Sequence, residues 1–376
     1  MVAPPPAAPA ARRLRRTLDP LIRDAAELSD ADRYRKSFPA RAHAWMLLLH
    51  TMGANRSLRQ SHALQYSDPA LRRFLGMEGW VSYSQLARSS ASRPAECFEG
   101  LLASVLRLAR GRAGRRSTEL LDGVRLLDST FFSLGKKASP WSAHGAHGAG
   151  VRLQALIDPS DRLPDAMRMT TVAANDAAAL SGWDLSELEG RTLIFDLGYY
   201  SHRNLGRLTD GGVHFLTRLK AQASYRVSGA REQPAGDERE TPEGDRILSD
   251  ETVVLGSPNN RRGAVLEGVR LVTGENAKGE VHRFVTDRHD LTASEVLSLY
   301  RKRWQIELFF RWLKRQLGAL RPLGHSREAV WLTLVVAAIV AVMALLAEQW
   351  RPKGVSRVAW LGALSVILFR RPRFSG

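Results

Sequence analysis

Apolar residues recur every three or four positions from about Arg33 to Arg110, as in AWMLLLHTM, LRRFLGM and ECFEGLLASVLRLARG. This spacing is typical of amphipathic helices. Breaks at Gly53, at 67–69 and at Gly76 divide the region into several short helices. Such a region fits a small helical DNA-binding domain, and it equally fits a helical bundle whose only role is packing.

The pattern changes after ARGRAGRRS to short runs rich in Val, Ile, Leu and Thr. VRLLDSTFFSL, VRLQALID, AMRMTTV and RTLIFDLG are predicted strands, and DAAALSGWDLSEL between the last two is a predicted helix. HFLTRLK, ETVVLG, GVRLVTG and HRFVTD predict further strands, interrupted by the polar stretch SGAREQPAGDERETPEGDR, which predicts a mobile acidic loop. A long helix without Gly or Pro is predicted from about Thr292 to Leu317. The fold class is therefore α/β.

Residues 329–347 are 19 consecutive uncharged and mostly apolar residues, AVWLTLVVAAIVAVMALLA. That length reaches the roughly 17–25 residues needed to span a bilayer. The soluble character of the remaining chain, the abundance of weakly hydrophobic Ala and the lack of a second such run favour a buried core helix and no membrane partner. A single membrane anchor is the alternative.

Composition bounds the size and the compartment. A chain of 376 residues allows about two or three domains, and 44% hydrophobic with 25% charged residues excludes disorder throughout. Cys97 is the only cysteine, which excludes a disulfide framework or a thiolate zinc site within one chain and suits a reducing cytoplasm.

Net charge points to the partner. Lys and Arg total 55 against 38 Asp and Glu, a balance of +17, which favours polyanions and above all nucleic acid. The balance is +10 over residues 1–120, −2 over 121–285 and +9 over 286–376, so two basic regions flank a neutral one that could carry catalytic carboxylates. The alternative is an arginine-rich, solvated surface.

Three acids stand out by position. Asp128 ends VRLLD, Asp196 ends LIFD just before Gly198, and Glu307 lies inside the long helix. Functional groups collect at the carboxyl ends of strands in open α/β sheets. Three carboxylates placed there could hold two hard divalent ions such as Mg²⁺. Taken singly, each aspartate is more simply a turn or cap residue. Competing acids follow in the next strand and loop: Asp158, Asp161 and Asp165.

The long helix sharpens this prediction. Tyr300, Arg303, Glu307 and Lys314 have offsets of 0, 3, 7 and 14, so in a regular helix they point near about 0°, −60°, −20° and −40° and share one narrow stripe. Cations and a phenol bordering a carboxylate could grip phosphates. The alternative is a solvated face with an Arg–Glu pair four residues apart. A packed helix is favoured by the apolar residues around its remaining surface: Trp304, Phe309, Phe310, Trp312 and Leu313.

At these residues the sequence resembles the insertion-sequence-four family of bacterial transposases, which carry a D-D-E triad and the signature Y-x2-R-x3-E-x6-K. The helix matches that signature at every spacing. LLDST at 126–130 is similar to the first-aspartate strand, and FDLGYYSHRN at 195–204 is similar to the second-aspartate motif D-x-G-Y. The segments VRLQALIDPSDRLPDAMRMTTVAANDAA and VTDRHDLTASEVLSLY extend the resemblance over roughly residues 120–325.

The resemblance implies a ribonuclease-H-like core with a β-rich insertion between the second aspartate and the glutamate, and metal-dependent cut-and-paste DNA transposition. Asp128, Asp196 and Glu307 would bind two Mg²⁺ ions, with Mn²⁺ as a substitute. Tyr300, Arg303 and Lys314 would contact the transposon end.

The expected partners are double-stranded DNA, as terminal inverted repeats and target, and a second copy in a DNA-bound homodimer in the bacterial cytoplasm at the nucleoid. A catalytically inactive DNA-binding copy of the same fold is the alternative. Relatives that cut through a DNA hairpin can stack a flipped base on a tryptophan of the insertion, whereas no Trp lies between Trp183 and Trp304. Phe284, Tyr225 and His282 are possible substitutes or ordinary strand residues.

The predicted organisation has six segments: a basic flexible arm (1–32), a helical DNA-binding domain (33–118), the first part of the catalytic core with both aspartates (119–212), a β-rich insertion (213–290), the second part of the core with the glutamate helix and the buried apolar helix (291–348), and a basic C-terminal tail (349–376).

Overall fold

A computed structural model describes residues 7–35, 37–53, 57–113, 118–134, 140–142, 148–171, 176–231, 240–256, 265–317 and 322–368. The chain forms two compact units: a mainly helical unit of Met1–Gly114, Leu134–Trp141 and Arg311–Gly376, and a sheet-containing unit of Arg115–Ser133 and Ser142–Phe310.

The described part of the chain contains twelve α-helices and nine β-strands. The helices are α1 (Ala7–Leu28), α2 (Ala40–Met52), α3 (Leu58–Ser67), α4 (Pro69–Leu75), α5 (Tyr83–Ser92), α6 (Ala95–Ala113), α7 (Asp176–Ala179), α8 (His202–Asp210), α9 (Ala293–Lys302), α10 (Trp304–Leu317), α11 (Arg327–Glu348) and α12 (Arg357–Ile367). The strands are β1 (Val124–Leu134), β2 (Ala149–Ile157), β3 (Pro164–Thr171), β4 (Thr192–Phe195), β5 (His214–Arg218), β6 (Tyr225–Ala230), β7 (Arg246–Leu255), β8 (Leu266–Glu275) and β9 (Val281–Thr286).

Helix α11 forms the core of the helical unit. It packs against α2, α5 and α6. By length and composition it could cross a membrane, yet 89% of its most apolar stretch is buried inside the protein. Side chains that are apolar on every face need a surrounding of other helices. The prediction of a buried core helix at 329–347 is thereby confirmed, although α11 belongs to the helical unit and not to the unit that carries the aspartates.

The predicted flexible arm is wrong for the described residues 7–32. Helix α1 buries Leu14, Leu18 and Ile22, which are spaced four apart on one face, and packs against α6 and α12. Asp19 accepts hydrogen bonds from the Arg41 guanidinium and from the Trp45 indole. Arginines stand between the apolar positions in the sequence and lie outside the buried face of the helix. The run therefore looks basic when it is read residue by residue.

The predicted basic tail also contains a folded helix. In α12 the side chains of Trp360, Leu361 and Leu364 are at most 1% exposed. The helix packs against α1 and α2. Residues 369–376 lie outside the described part of the chain.

Within the described residues the sheet has nine strands in the order β3-β2-β1-β4-β5-β9-β8-β7-β6. Strands β1, β4 and β5 are parallel, whereas β2 with β3 and the series β5-β9-β8-β7-β6 are antiparallel. The strand at HFLTRLK therefore belongs to the parallel part of the sheet, so the antiparallel extension starts after it and not at residue 213. The helix predicted at DAAALSGWDLSEL is short, since only α7 is α-helical and 3₁₀ turns follow.

Ion pairs hold the antiparallel extension together and connect it to α9. The carboxylate of Asp250 accepts two hydrogen bonds from the Arg270 guanidinium, at 2.9 and 2.6 Å, and both side chains are almost fully buried. Arg270 also donates to the Leu291 carbonyl just before α9. Asp245 pairs with Arg301 on α9. Part of the predicted acidic loop is therefore a fixed contact to this helix, whereas residues 232–239 of that loop lie outside the described part.

Candidate active site

Asp128 and Asp196 stand side by side on neighbouring parallel strands. The register pairs Leu127 with Phe195, so the next residue on each strand is an aspartate. Both preceding side chains are buried in the apolar cluster on one side of the sheet, and alternation along a strand turns the aspartates to the other side. Strand β4 ends at Phe195, whereas β1 continues to Leu134. Asp128 is therefore not at the end of its strand as predicted, but at the point where β1 loses its β4 neighbour.

Each aspartate accepts a local backbone hydrogen bond. The amide of Ser129 donates to Asp128 Oδ1 at 2.7 Å, and the amide of Gly198 donates to Asp196 Oδ1 at 2.9 Å. Gly198 has close neighbours, because a Cβ atom there would lie 3.0 Å from Asp196 Oδ1. Close packing, and not unusual backbone geometry, is what the glycine of D-x-G-Y provides.

Burial and neighbouring charges make Asp128 an unusual carboxyl. Its pKa is raised from 3.8 to about 7, mainly by burial and also by the negative charges of Asp196 and Glu307, while the Ser129 amide and Arg303 act in the opposite sense. Three carboxylates therefore lie near one another, in a place where ionised groups are costly without a compensating cation.

Arg303 supplies part of that compensation. Its guanidinium donates to Asp128 Oδ2 at 3.3 Å and to Glu307 Oε1 at 2.5 Å. The helix predicted over 292–317 is divided at this residue, because the Arg303 amide bonds to the Tyr300 carbonyl and the Ile306 amide bonds to the Arg303 carbonyl. This three-residue spacing tightens the turn. The Arg–Glu pair proposed as a mere surface contact is real, but it is joined to the first aspartate.

Tyr300 lies beside this arginine. The Arg303 Cζ atom is 5.9 Å from the centroid of its ring, and the ring packs at 4.8 Å against Phe284 of β9. Burial raises the pKa of the Tyr300 phenol. Phe284 is only 6% exposed and so supports the tyrosine instead of offering a stacking surface, while His282 accepts a hydrogen bond from Arg218 at 2.7 Å.

The structure thus brings together four of the predicted residues around Arg303 itself: Tyr300, Glu307, Asp128 and Asp196. Lys314 is exposed on the part of α10 that belongs to the helical unit. Trp304 is 51% exposed, in contrast to the expectation that it helps to pack the helix. In the described parts of the chain, no three His, Cys, Asp or Glu side chains are grouped as one ready-made metal site.

The competing acids lie elsewhere and have other partners. Asp158 and Asp165 both pair with Arg125. Asp161 accepts a hydrogen bond from the Leu163 amide in the turn before β3. Arg125 lies three residues before Asp128, towards the opposite end of β1, so these acids do not join the site.

Sequence reasoning missed two residues near the aspartates. Arg218 is the last residue of β5, the strand next to β4, and its positive charge acts on the Tyr300 phenol. Asp176 has an Oδ2 atom 3.1 Å from the Cβ position of Gly198. The segment AANDAA carried a signal for Asp176, whereas nothing local to HFLTRLK distinguishes Arg218 before the strand pairing is known.

Comparison with known proteins identifies the family of this chain. The profile of the transposase DDE domain matches residues 119–343. The chain is 30% identical over 267 residues to a protein of Sinorhizobium fredii named as transposase y4zB, covering 70% of this chain and 71% of that protein. It is 28% identical over 297 residues to a protein of Geobacillus stearothermophilus named as a transposase for insertion sequence element IS5377, covering 78% of this chain and 73% of that protein.

A chain in the cryo-EM structure of a piggyBac transposase synaptic complex with hairpin DNA is also similar, with a TM-score of 0.44 and 9% identity over 95% of this chain and 77% of that chain. The profile match covers more than half of the sequence and includes both aspartates and the glutamate of the site. The chain therefore belongs to the family of DDE transposases, the enzymes that cleave DNA and transfer its strands.

Proposed function

We propose that this transposase cleaves the terminal inverted repeats of its own insertion element and joins them to target DNA in a cut-and-paste reaction. The observation that carries the proposal is the level placement of Asp128 and Asp196 on adjacent parallel strands, with Arg303 linking the first of them to Glu307. Carboxylates that converge from two strands and a helix can hold two ions, and two ions can stabilise both the attacking and the leaving oxygen of a phosphodiester displacement.

The finer family assignment is part of the proposal. The strand order β3-β2-β1-β4-β5, with β1, β4 and β5 parallel, supports a ribonuclease-H-like core. The signature formed by Tyr300, Arg303, Glu307 and Lys314 supports membership of the insertion-sequence-four group.

The carboxylates suit divalent ions. Their oxygens are hard ligands, which Mg²⁺ prefers and Mn²⁺ accepts. Asp128 is buried beside two further acids, so the single charge of Arg303 leaves a local excess of negative charge. We assign Asp128, Asp196 and Glu307 to hold two Mg²⁺ ions. When bound, such ions activate the attacking oxygen and stabilise the leaving oxygen of an in-line displacement.

The remaining groups hold the DNA. The planar guanidinium of Arg303 can bind a phosphate through two parallel hydrogen bonds, and its contacts with Asp128 and Glu307 keep it at the reacting centre. Tyr300 is fixed by Phe284 and can donate its phenolic proton to a phosphate oxygen. Lys314, further along α10, adds a flexible positive charge for the transposon end.

The charge distribution supports DNA as the partner. The two basic parts of the chain exceed the acids by +10 and +9, and phosphate contacts by Lys and Arg make binding strongly dependent on salt. We further propose that the chain works as a homodimer that holds two element ends together, and that it acts at the nucleoid in the cytoplasm.

Strand cleavage tests the proposal. A labelled duplex carrying the element's own terminal repeat is incubated with the full chain in Mg²⁺, in Mn²⁺ or in EDTA. We expect nicking at the end of the repeat with either metal, and none in EDTA. Glu307→Gln and Asp128→Ala should abolish nicking and leave the gel-shift affinity for the duplex within about threefold, since the basic surface is intact.

Asp165→Asn is the matched control, because it removes an acid of the same unit that pairs with Arg125, and it should cleave as the wild type does. Tight duplex binding without cleavage in any metal would instead identify a catalytically inactive DNA-binding copy. Equal loss of binding and cleavage in Glu307→Gln would contradict the role given to the glutamate.

A further inference from the structure

A fourth carboxylate outside the predicted triad, Asp176, contacts Ser129, the residue after Asp128, and lies against Gly198 in the loop after Asp196. It begins α7, directly after the Ala-Asn segment at 174–175. Its Oδ1 atom accepts a hydrogen bond from the Ser129 hydroxyl at 2.7 Å. Arg152 on β2 donates to both of its oxygens, at 3.3 and 3.2 Å. A partly exposed acid with two such partners is held in one orientation.

On one side Asp176 reaches Asp128 through a single residue. Ser129 donates its hydroxyl to Asp176, while its backbone amide donates to Asp128 Oδ1 at 2.7 Å. The residue that orients the first aspartate is therefore itself fixed by Asp176. The ion pair with Arg152 also balances the charge of Asp176, so that this acid can lie beside the others without adding an unpaired negative charge.

On the other side Asp176 reaches the loop of the second aspartate. A Cβ atom on Gly198 would lie 3.1 Å from Asp176 Oδ2 and 3.0 Å from Asp196 Oδ1, so both carboxylates pack against the same face of this glycine. Tyr199 is fully buried, and burial together with the charge of Asp176 raises the pKa of its phenol.

Asn204 fastens the two segments to each other. Its side-chain amide donates to the Ala177 carbonyl at 2.9 Å and to the Tyr199 carbonyl at 2.8 Å, and the side chain is buried. Asn204 thus holds the start of α7 against the D-x-G-Y loop. Asp176, at the start of α7, contacts Ser129 on β1.

We propose that Asp176 is a positioning residue that sets the separation and orientation of Asp128 and Asp196, acting through Ser129 on one strand and through Gly198 on the other. The proposal rests on the assignment of these aspartates as metal ligands. Groups that hydrogen-bond to metal ligands typically change metal affinity by about 10–100-fold when removed. Asp176 should therefore govern how tightly the site takes up its ions.

The test measures Mn²⁺ binding to the full chain without DNA, by the loss of the electron paramagnetic resonance signal of free Mn²⁺. We expect Asp176→Ala to weaken Mn²⁺ binding about tenfold and to regain a nearly wild-type cleavage rate at saturating Mn²⁺, because the ligands themselves remain. Asp176→Asn is the second variant, for use if the alanine variant folds poorly. Because asparagine keeps the side-chain shape and an acceptor for Ser129, it should weaken Mn²⁺ binding less than alanine does.

Two further comparisons separate positioning from general stability. Ser129→Ala should weaken Mn²⁺ binding as Asp176→Ala does, and the double variant should be no weaker than the worse single variant, because both act in one chain of contacts. Ser129→Thr keeps the hydroxyl and should restore the affinity. Asp165→Asn, an acid paired with Arg125, should leave Mn²⁺ binding unchanged.

The outcomes distinguish this inference from the proposed function. Loss of Mn²⁺ binding in Asp128→Ala, together with affinity within twofold of the wild type in Asp176→Ala, would overturn only the positioning role. Complete loss in Asp176→Ala that saturating Mn²⁺ does not recover would make it a ligand and would also overturn that role. Mn²⁺ binding that does not depend on Asp128 would overturn the metal site and the inference with it.

Discussion

Replacing Asp128 by asparagine should stabilise the metal-free protein while it destroys the enzyme. The carboxylate is buried beside Asp196 and Glu307, which raise its pKa in addition to the main effect of burial. Asparagine has nearly the same shape, and its Oδ1 can still accept from the Ser129 amide. Arg303 loses one partner and keeps Glu307.

The magnitude follows from the pKa. A rise from 3.8 to about 7 at about 1.4 kcal/mol per tenfold change in proton affinity means that the ionised carboxylate costs the folded state up to about 4 kcal/mol. Because the pKa of Asp128 is higher in the folded state than in the unfolded chain, ionisation of this carboxyl destabilises the fold. Its contribution to the free energy of unfolding is fully present below about pH 4 and is lost as the pH rises to about 7. The advantage of Asp128→Asn should therefore be small near pH 4 and largest above pH 8.

Thermal unfolding in EDTA between pH 5 and pH 8.5 measures this difference. At pH 8.5 we expect the variant to melt several degrees above the wild type, since about 2–4 °C corresponds to each kcal/mol in domains of this size. Adding Mg²⁺ should raise the melting temperature of the wild type more than that of the variant. Asp165→Asn serves as the control: it breaks a pair with Arg125 and should not raise the melting temperature at any pH.

One result would refute this reasoning. If Asp128→Asn melts at or below the wild type at every pH in EDTA, the carboxylate is not held against an electrostatic cost. The buried carboxylates would then create no local excess of negative charge that a divalent cation could compensate.

Three further predictions concern the fold. Leu18→Ala should cost about 2–5 kcal/mol of unfolding free energy, because the side chain is fully buried in α1; chemical denaturation measures this, and a flexible arm would give no change. Gly150→Ala should destabilise the sheet, because its Cβ would lie 2.2 Å from the Phe131 ring. Gly111→Ala in α6 would meet nothing within 4 Å and should stabilise the protein by up to about 1 kcal/mol. Melting temperatures measure both effects. Asp250→Asn should cost about 3–5 kcal/mol by leaving the buried charge of Arg270 without its partner, and a neutral effect would mean that the pair does not stabilise the contact between β7 and β8.

Much of the fold could be predicted from local pattern. Strands β1 to β5 and β7 to β9 follow short apolar runs, and the apolar run at 329–347 forms one buried helix, because each buried face is visible as a period along the chain. Helix α1 was missed because the sequence before Asp19 is rich in Pro, Ala and Arg, although the Leu and Ile residues keep the helical spacing. Strand β6 was missed because Arg226, Val227 and Ser228 are exposed and give no buried alternation.

Local sequence was enough to identify the residues that could do chemistry. The spacing of Tyr300, Arg303, Glu307 and Lys314 is a property of consecutive turns, and it survives the tightened turn at Arg303. The aspartates were identified because each follows a buried apolar run. These are local relationships, fixed by the covalent chain and its period.

How these residues come together depends on tertiary packing. The level placement of Asp128 and Asp196 depends on the register of strands that are far apart in sequence, and register is set by packing across the whole sheet. The same is true of Arg303 between Asp128 and Glu307, and of Asp176 between Ser129 and Gly198. Such contacts join segments whose separation along the chain carries no periodic signal, so their geometry appears only when the core has formed.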